Sequence, residues 1–215
     1  MIYSLFQKEL KSEFKNKSSI AGLFLYIIST IFLCYLAFNQ YIEAKTYITL
    51  YWIVVLFASV NSTSKSFMQE SEARRLYYYT TAKPSDFILS KILFNTLFLI
   101  ALAAISLLLF VVLLGNPIKN MMLFLGCTVL GSIAIGSAMS LISAIGAKSG
   151  NNPTLVSILG FPIILPILLA TISLSTNALD GKTTFESLRL IIALGGLSTV
   201  VIALSFILFP YLWRD

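Results

Sequence analysis

Residues 61–91 read NSTSKSFMQESEARRLYYYTTAKPSDFILSK and form the one long polar interruption in a mostly apolar chain. The stretch holds five of the chain's 15 lysine and arginine residues. It also contains a run of three tyrosines and a proline at position 84. Because long apolar segments flank it on both sides, the pattern predicts a loop that joins two membrane spans.

The composition supports a membrane protein. The chain has 215 residues, of which 58% are hydrophobic and only 11% are charged, whereas a soluble domain carries about 25% charged residues. The net charge of +6 would suggest nucleic-acid binding in a soluble protein. Here the cations lie in short segments between apolar runs, which is typical of membrane topology instead.

Six apolar runs predict an all-α integral membrane protein that forms one transmembrane domain over residues 1–215. The predicted spans cover about 20–38, 46–64, 92–114, 121–147, 154–176 and 188–212. Residues 2–17 predict an interfacial helix, because its apolar residues share one arc that Glu9 and Glu13 interrupt. A solvated N-terminal arm is the alternative interpretation of this segment.

The placement of lysine and arginine predicts the orientation of the spans. With the N-terminus in the cytoplasm, 11 of the 15 cations lie on the cytoplasmic side, and four lie outside. The positive-inside rule therefore favours an N-in, C-in topology. In that topology residues 61–91 are cytoplasmic.

The sequence lacks several residue types and motifs that catalysis, ion transport and nucleotide binding require. The chain has no histidine, and the interiors of the predicted spans contain no Asp, Glu, Lys or Arg, which ion-coupled transporters use. No phosphate-binding loop motif is present. Cys34 and Cys127 lie inside apolar runs and are interpreted as small buried hydrophobes. We therefore expect no enzyme activity, bound cofactor or metal site, and any work must draw its energy from a partner.

The polar stretch predicts a coupling helix. Glu70 and Arg74 are spaced i,i+4 and Glu72 and Arg75 are spaced i,i+3, which favours a short helix over residues 65–79. Ser85 or Asp86 is expected to cap the following helix. We predict that the loop 65–91 receives force from a cytoplasmic motor through Phe67, Glu70, Arg74, Arg75, Tyr78 and Pro84. The alternative is a solvated loop that tyrosine and arginine hold to the lipid.

Two spans carry further patterns. In span 4, Ser132, Gly136, Ser140 and Ala144 recur every four residues and form a ridge that allows close helix packing. This ridge fits packing within the bundle, and a subunit seam or a substrate wall is the alternative. In span 5, Pro162 and Pro166 predict a kink or break, which is either a hinge or a static kink.

The order of these features resembles the haem exporter B family, the membrane permeases of the cytochrome c maturation system within the wider ABC-2 group. The matching features are Lys8-Glu9-Leu10, six spans, the loop Phe67-x-x-Glu70, Leu76-Tyr-Tyr-Tyr79, Pro84 and Leu89-Ser-Lys91, and the run Gly160-Phe-Pro162 to Leu165-Pro166-Ile-Leu-Leu-Ala170.

The resemblance implies a multi-pass bacterial inner-membrane subunit of an ABC transporter in haem transport. It implies a separate cytoplasmic ATPase that binds ATP, other maturation-system membrane proteins, a haem chaperone, and assembly as a homodimer or hetero-oligomer. Haem is a possible substrate. Because the chain has no histidine, we expect mechanical work on a partner's haem complex, such as release of the haem-loaded chaperone, rather than direct carriage. The alternatives are an ABC-2 permease for a lipid, glycan or drug, and a membrane scaffold without transport.

Overall fold

The computed structural model describes residues 2–38, 42–68, 83–148 and 153–214, with seven α-helices and no strand in these ranges. The all-α prediction is therefore confirmed. The helices are α1 (Ile2–Lys15), α2 (Lys17–Phe38), α3 (Ala44–Met68), α4 (Pro84–Leu114), α5 (Met121–Lys148), α6 (Pro153–Asp180) and α7 (Leu188–Arg214).

Helices α2 to α7 are each long and apolar enough to cross a membrane, as six spans require. The predicted span 92–114 is the apolar part of α4, and this helix begins at Pro84, within two residues of the start predicted from Ser85 or Asp86. Its 31 residues correspond to about 46 Å at 1.5 Å per residue, whereas the hydrocarbon layer is about 30 Å thick. The first turns of α4 therefore extend beyond the hydrocarbon layer.

Proline starts α4 because it has no amide hydrogen to lose and its fixed φ suits the first helical position. Lys83 is the N-cap residue in an extended conformation, and it makes no side-chain capping bond. The prediction that Ser85 or Asp86 caps this helix is wrong, since both lie inside its first turn. Asp86 instead places a carboxylate near the positive end of the helix dipole.

Helix α5 occupies the centre of the bundle and packs against α3, α4, α6 and α7. A glycine makes one of these approaches possible. A β-carbon at Gly131 would collide with the Trp52 ring and would lie 2.9 Å from the Thr171 methyl group. The backbone of α5 therefore lies directly against side chains of α3 and α6.

Aromatic residues of α3 anchor this short span in the bundle. Trp52 and Tyr51 are fully buried. The Trp52 Nε1–H donates a hydrogen bond to Ser175 Oγ of α6 at 2.8 Å. The Tyr51 hydroxyl donates to the Ala103 carbonyl of α4 at 3.3 Å. These buried bonds explain why a helix with few lipid-facing residues holds its position.

The loops α4–α5 and α6–α7 meet at one end of the bundle. Asn120 Nδ2 donates a hydrogen bond to the Lys182 carbonyl at 2.8 Å, and the Asn120 amide donates to the Ala178 carbonyl at 2.9 Å. Gly115 has a φ of 84° where α4 ends, a conformation that favours glycine. The opposite end of the bundle carries the start of α4 and both ends of the chain.

Candidate functional site

The first turns of α4 lie between the N-terminal and C-terminal helices. On one side, Phe87 stacks on Phe209 of α7 at a centroid distance of 5.9 Å, and it contacts the Trp213 ring at 5.0 Å. On the other side, Phe94 meets Phe6 of α1 edge-on at 6.3 Å. Helix α1 and the last turns of α7 therefore lie on the side where the polar stretch 61–91 enters α4.

A buried ion pair attaches α1 to α4. Lys91 Nζ lies 2.9 Å from Glu9 Oε2, and the two side chains are 1% and 8% exposed. Lys8 Nζ lies 2.9 Å from the other carboxylate oxygen, Glu9 Oε1. Lys91 Nζ is also 5.7 Å from the centre of the Phe87 ring. One ammonium group therefore contacts both α1 and the aromatic cluster shared with α7.

The Glu9 carboxyl is charged at neutral pH. Burial raises its pKa, but the Lys91 and Lys8 ammonium groups lower it, and the net pKa falls below its usual value of 4.5. Separating a buried carboxylate from a buried ammonium group is costly, because water does not replace the lost interaction. The pair therefore fixes α1 against α4, so that a movement of one helix reaches the other.

This packing corrects the interpretation of α1. The sequence placed Glu9 and Glu13 as interruptions of an apolar arc, but both are buried together with Leu5, whereas Tyr3 and Phe14 are exposed. The acidic face points into the protein because Lys91 supplies a counter-charge from α4. Lys91 precedes the predicted span 92–114, but it lies inside α4 and is fully buried.

The predicted coupling surface falls only partly on the described residues. Glu70, Arg74, Arg75 and Tyr78 lie outside them, as does most of the predicted helix 65–79. Phe67 lies in the last turn of α3, and Pro84 is the first residue of α4. The stretch 61–91 is thus helical at both of its described ends, with residues 61–68 in α3 and 84–91 in α4.

The predicted ridge of α5 is buried inside the chain. Ser132 and Ser140 are fully buried, and Ala144 is 4% exposed. A β-carbon at Gly136 would lie 3.1 Å from the Thr96 backbone of α4. This placement favours packing within the bundle over a subunit seam.

A polar contact in the α4–α5 seam was missed by the sequence interpretation. Asn95 Nδ2 donates a hydrogen bond to Ser140 Oγ at 2.8 Å, and Ser140 in turn donates to the Gly136 carbonyl at 2.7 Å. Asn95 follows Lys91 by four residues, so both lie on one face of α4. That polar i,i+4 pair in an apolar run was the available signal.

The two prolines of the predicted hinge lie inside α6, which is continuous from Pro153 to Asp180. The helix is therefore not broken there. Both proline side chains are exposed, and an open apolar groove beside them is lined by α3, α5 and α6 residues, among them Val60, Met139 and Phe161. The structure defines the position of this segment, and its role as a hinge stays a prediction.

The described residues include no cluster of His, Cys, Asp or Glu that could hold a metal ion. Cys127 is buried, with its Sγ 3.2 Å from Ser175 Oγ. Cys34 is half-buried, and both thiols are free. The cysteines thus behave as packing residues in this part of the chain.

Comparison with known proteins agrees with this architecture. A family model described as CcmB protein matches residues 1–210, and no curated protein matches the chain. The family match confirms the resemblance stated from the sequence, and it covers all seven helices apart from the last turn of α7. The chain therefore belongs to the CcmB family, the transmembrane ABC permease component of the haem exporter system in cytochrome c biogenesis.

Proposed function

We propose that this chain is the permease subunit that converts ATP hydrolysis by a separate cytoplasmic ATPase into movement of its membrane helices. The observation that supports this most strongly is the junction of α1, α4 and α7 around Lys91 and Phe87. The predicted coupling loop leads directly into this junction at Pro84. A push on the loop would therefore act on three helices at once.

The path from the junction into the membrane follows α4. This helix continues without interruption from Pro84 to Leu114, so a displacement at its start moves its whole length. Two turns past Pro84, Lys91 links α4 to α1, and one turn further Asn95 links it to Ser140 of the central helix α5. The chain's own residues thus connect the loop to the centre of the bundle.

For haem, we favour mechanical work on a partner's haem-loaded complex over carriage through this chain. The chain lacks histidine, the commonest haem ligand among those that proteins use. The buried Cys127 thiol contacts Ser175 and the Thr171 carbonyl, which places it in a packed helix interface. Release of a haem-loaded chaperone on the outer side fits these residues better than ligation of haem by this chain during its passage through the membrane.

We further propose that the chain lies in a bacterial inner membrane with both termini in the cytoplasm. The distribution of lysine and arginine supports this orientation, and so does the contact of both terminal helices with the same end of α4. Cysteine-accessibility labelling from each side of the membrane tests it. The assembly is proposed as a homodimer or a hetero-oligomer, because an ABC transporter contains two permease halves.

The decisive experiment measures ATPase co-purification and the yield of holocytochrome c in variants of the loop. Glu70→Ala and Arg74→Glu are expected to reduce both. Arg189→Glu is the matched control, because Arg189 is exposed on the opposite end of the bundle. If the loop variants retain full ATPase association and full holocytochrome yield, the coupling role is wrong. Normal c-type cytochromes in a deletion strain would instead favour another ABC-2 substrate or a scaffold role.

A further inference from the structure

Helix α1 has three chemically distinct faces. Leu5, Glu9 and Glu13 form the buried face. Tyr3, Leu10 and Phe14 are 72%, 39% and 61% exposed, and at 3.6 residues per turn they share a second face of the helix. The third face is basic and carries Lys11 and Lys15, which are both exposed.

The connection to α2 fixes the level at which α1 lies. Asn16 alone separates the two helices, and its side-chain oxygen accepts a hydrogen bond from the Ser19 amide at 3.4 Å. The apolar part of α2, a membrane span, starts at Ile20. With so short a connection, α1 ends at the level of the lipid headgroups. Its exposed apolar face can then bury itself only at the boundary of headgroups and acyl chains.

The exposed surface of this segment has a single sign of charge. Residues 2–38 contain two acids, Glu9 and Glu13, and both are buried. Lys11, Lys15 and Lys17 are exposed. The inward rotation of both carboxylates thus leaves a surface that attracts anions, next to an apolar face.

We propose that α1 is a binding site for anionic phospholipid headgroups. Lys11, Lys15 and Lys17 contact the lipid phosphates, while Tyr3, Leu10 and Phe14 insert beside the acyl chains. Basic residues beside an apolar helix face are the features that bind anionic lipid surfaces. An acidic protein surface would match the lysines but would leave the exposed aromatic face in water. The Glu9–Lys91 pair fixes the rotation of α1, so that the basic and apolar faces both point outward.

The test uses the purified full chain in detergent, without any ATPase, and so stands apart from the proposed coupling function. Native mass spectrometry measures the dissociation constant of the first bound phosphatidylglycerol or phosphatidylcholine molecule. Removing one lysine from an anionic lipid surface costs about 1 kcal/mol, which corresponds to about fivefold in binding. The triple variant K11Q/K15Q/K17Q is expected to weaken phosphatidylglycerol binding by at least about fivefold and to leave phosphatidylcholine binding unchanged.

The matched control is K45Q/K119Q/K182Q, which removes three exposed lysines from the other end of the bundle. It should retain the preference for phosphatidylglycerol. The proposal is overturned if the wild-type chain shows no such preference, or if both triple variants lose it equally. It is also overturned if K11Q/K15Q/K17Q retains the wild-type affinity for phosphatidylglycerol, since the basic face would then not hold the lipid headgroup. An unchanged melting temperature excludes misfolding.

Discussion

Glu9 and Lys91 lie 82 positions apart in the sequence, yet their side chains form a buried ion pair with an O–N distance of 2.9 Å. The pair joins the N-terminal helix to the first turns of α4, directly after the predicted coupling loop. Lys91 is fully buried, and the Glu9 carboxylate is a counter-charge for its ammonium group. The relationship gives the N-terminal helix a structural role that the sequence pattern of α1 alone does not show.

Removal of one member of the pair should destabilise the protein more than removal of both. Lys91→Met leaves the Glu9 carboxylate with Lys8 as its neighbour, whereas Glu9→Gln removes the carboxylate that lies 2.9 Å from a fully buried ammonium group. Breaking a buried pair in this way costs about 3–5 kcal/mol. We therefore expect Glu9→Gln to be the more damaging single change, and the double variant E9Q/K91M to recover part of the loss.

Labelling of Cys127 with a thiol-reactive dye can measure the melting temperatures of these variants. Its side chain is 1% exposed, so in a Cys34→Ser background a thiol-reactive dye should report its exposure on thermal unfolding. Lys11→Met is the control, because Lys11 is exposed on the same helix and should leave the melting temperature nearly unchanged. Equal melting temperatures for E9Q and wild type would contradict the structural role of the pair.

Acidification should remove the same stabilisation. The folded-state pKa of Glu9 lies below its usual value of 4.5, so the folded protein binds this proton less readily than the unfolded chain. The stabilising contribution is complete above pH 4.5 and is lost as the pH falls through the folded-state pKa. The wild-type melting temperature should therefore fall below pH 4.5 by more than that of E9Q. Parallel pH profiles for the two proteins would exclude the ion pair as the cause.

The sequence predicts the helices well because hydrocarbon length and apolar composition are local properties of each run. It also predicts a helix that starts near Pro84, but not what the first turns of that helix contact. Two tertiary contacts hold these turns: Lys91 pairs with Glu9 of α1, and Phe87 packs on Phe209 of α7. No local pattern in residues 84–91 specifies either partner.

In the candidate site, too, local sequence patterns do not identify the tertiary contacts. The small residues of α5 are recognisable by their four-residue spacing, and Ser140 and Gly136 do lie in a close helix contact. Glu9, in contrast, appeared as a defect in an amphipathic pattern. A charge that breaks an amphipathic face signals a distant partner, but only the folded chain identifies Lys91 as that partner.

Gly131 should not tolerate even one extra methyl group. A β-carbon there would collide with the Trp52 ring and crowd the Thr171 methyl group, and overpacking of this kind costs about 1–3 kcal/mol. Gly131→Ala is thus expected to lower the melting temperature measured through Cys127. Gly126→Ala is the matched control in the same helix, since nothing lies within 4 Å of its β-carbon position. A Gly131→Ala protein as stable as the Gly126→Ala protein would refute the close approach of α3 and α5.

Mutation of the two hydrogen-bonded residues between α4 and α5, Asn95 and Ser140, should destabilise the protein to different extents. Ser140→Ala removes the acceptor of the Asn95 amide, and within the described residues Asn95 Oδ1 has no hydrogen-bond partner of its own. A buried polar group left unpaired costs about 1–3 kcal/mol. Asn95→Leu, in contrast, leaves Ser140 donating to the Gly136 carbonyl, so its polar atom stays satisfied. We therefore expect Ser140→Ala to destabilise more than Asn95→Leu.

The double variant N95L/S140A completes a thermodynamic cycle for this pair. Hydrogen bonds between membrane helices contribute about 0.6 kcal/mol on average and up to about 1.7, and the coupling energy should fall in that range. Thr199→Ala serves as the control, since this exposed hydroxyl bonds only within α7 among the described contacts. A coupling energy near zero would mean that Asn95 and Ser140 are neighbours without a mutual interaction, and α4 would then lose this link to the central helix.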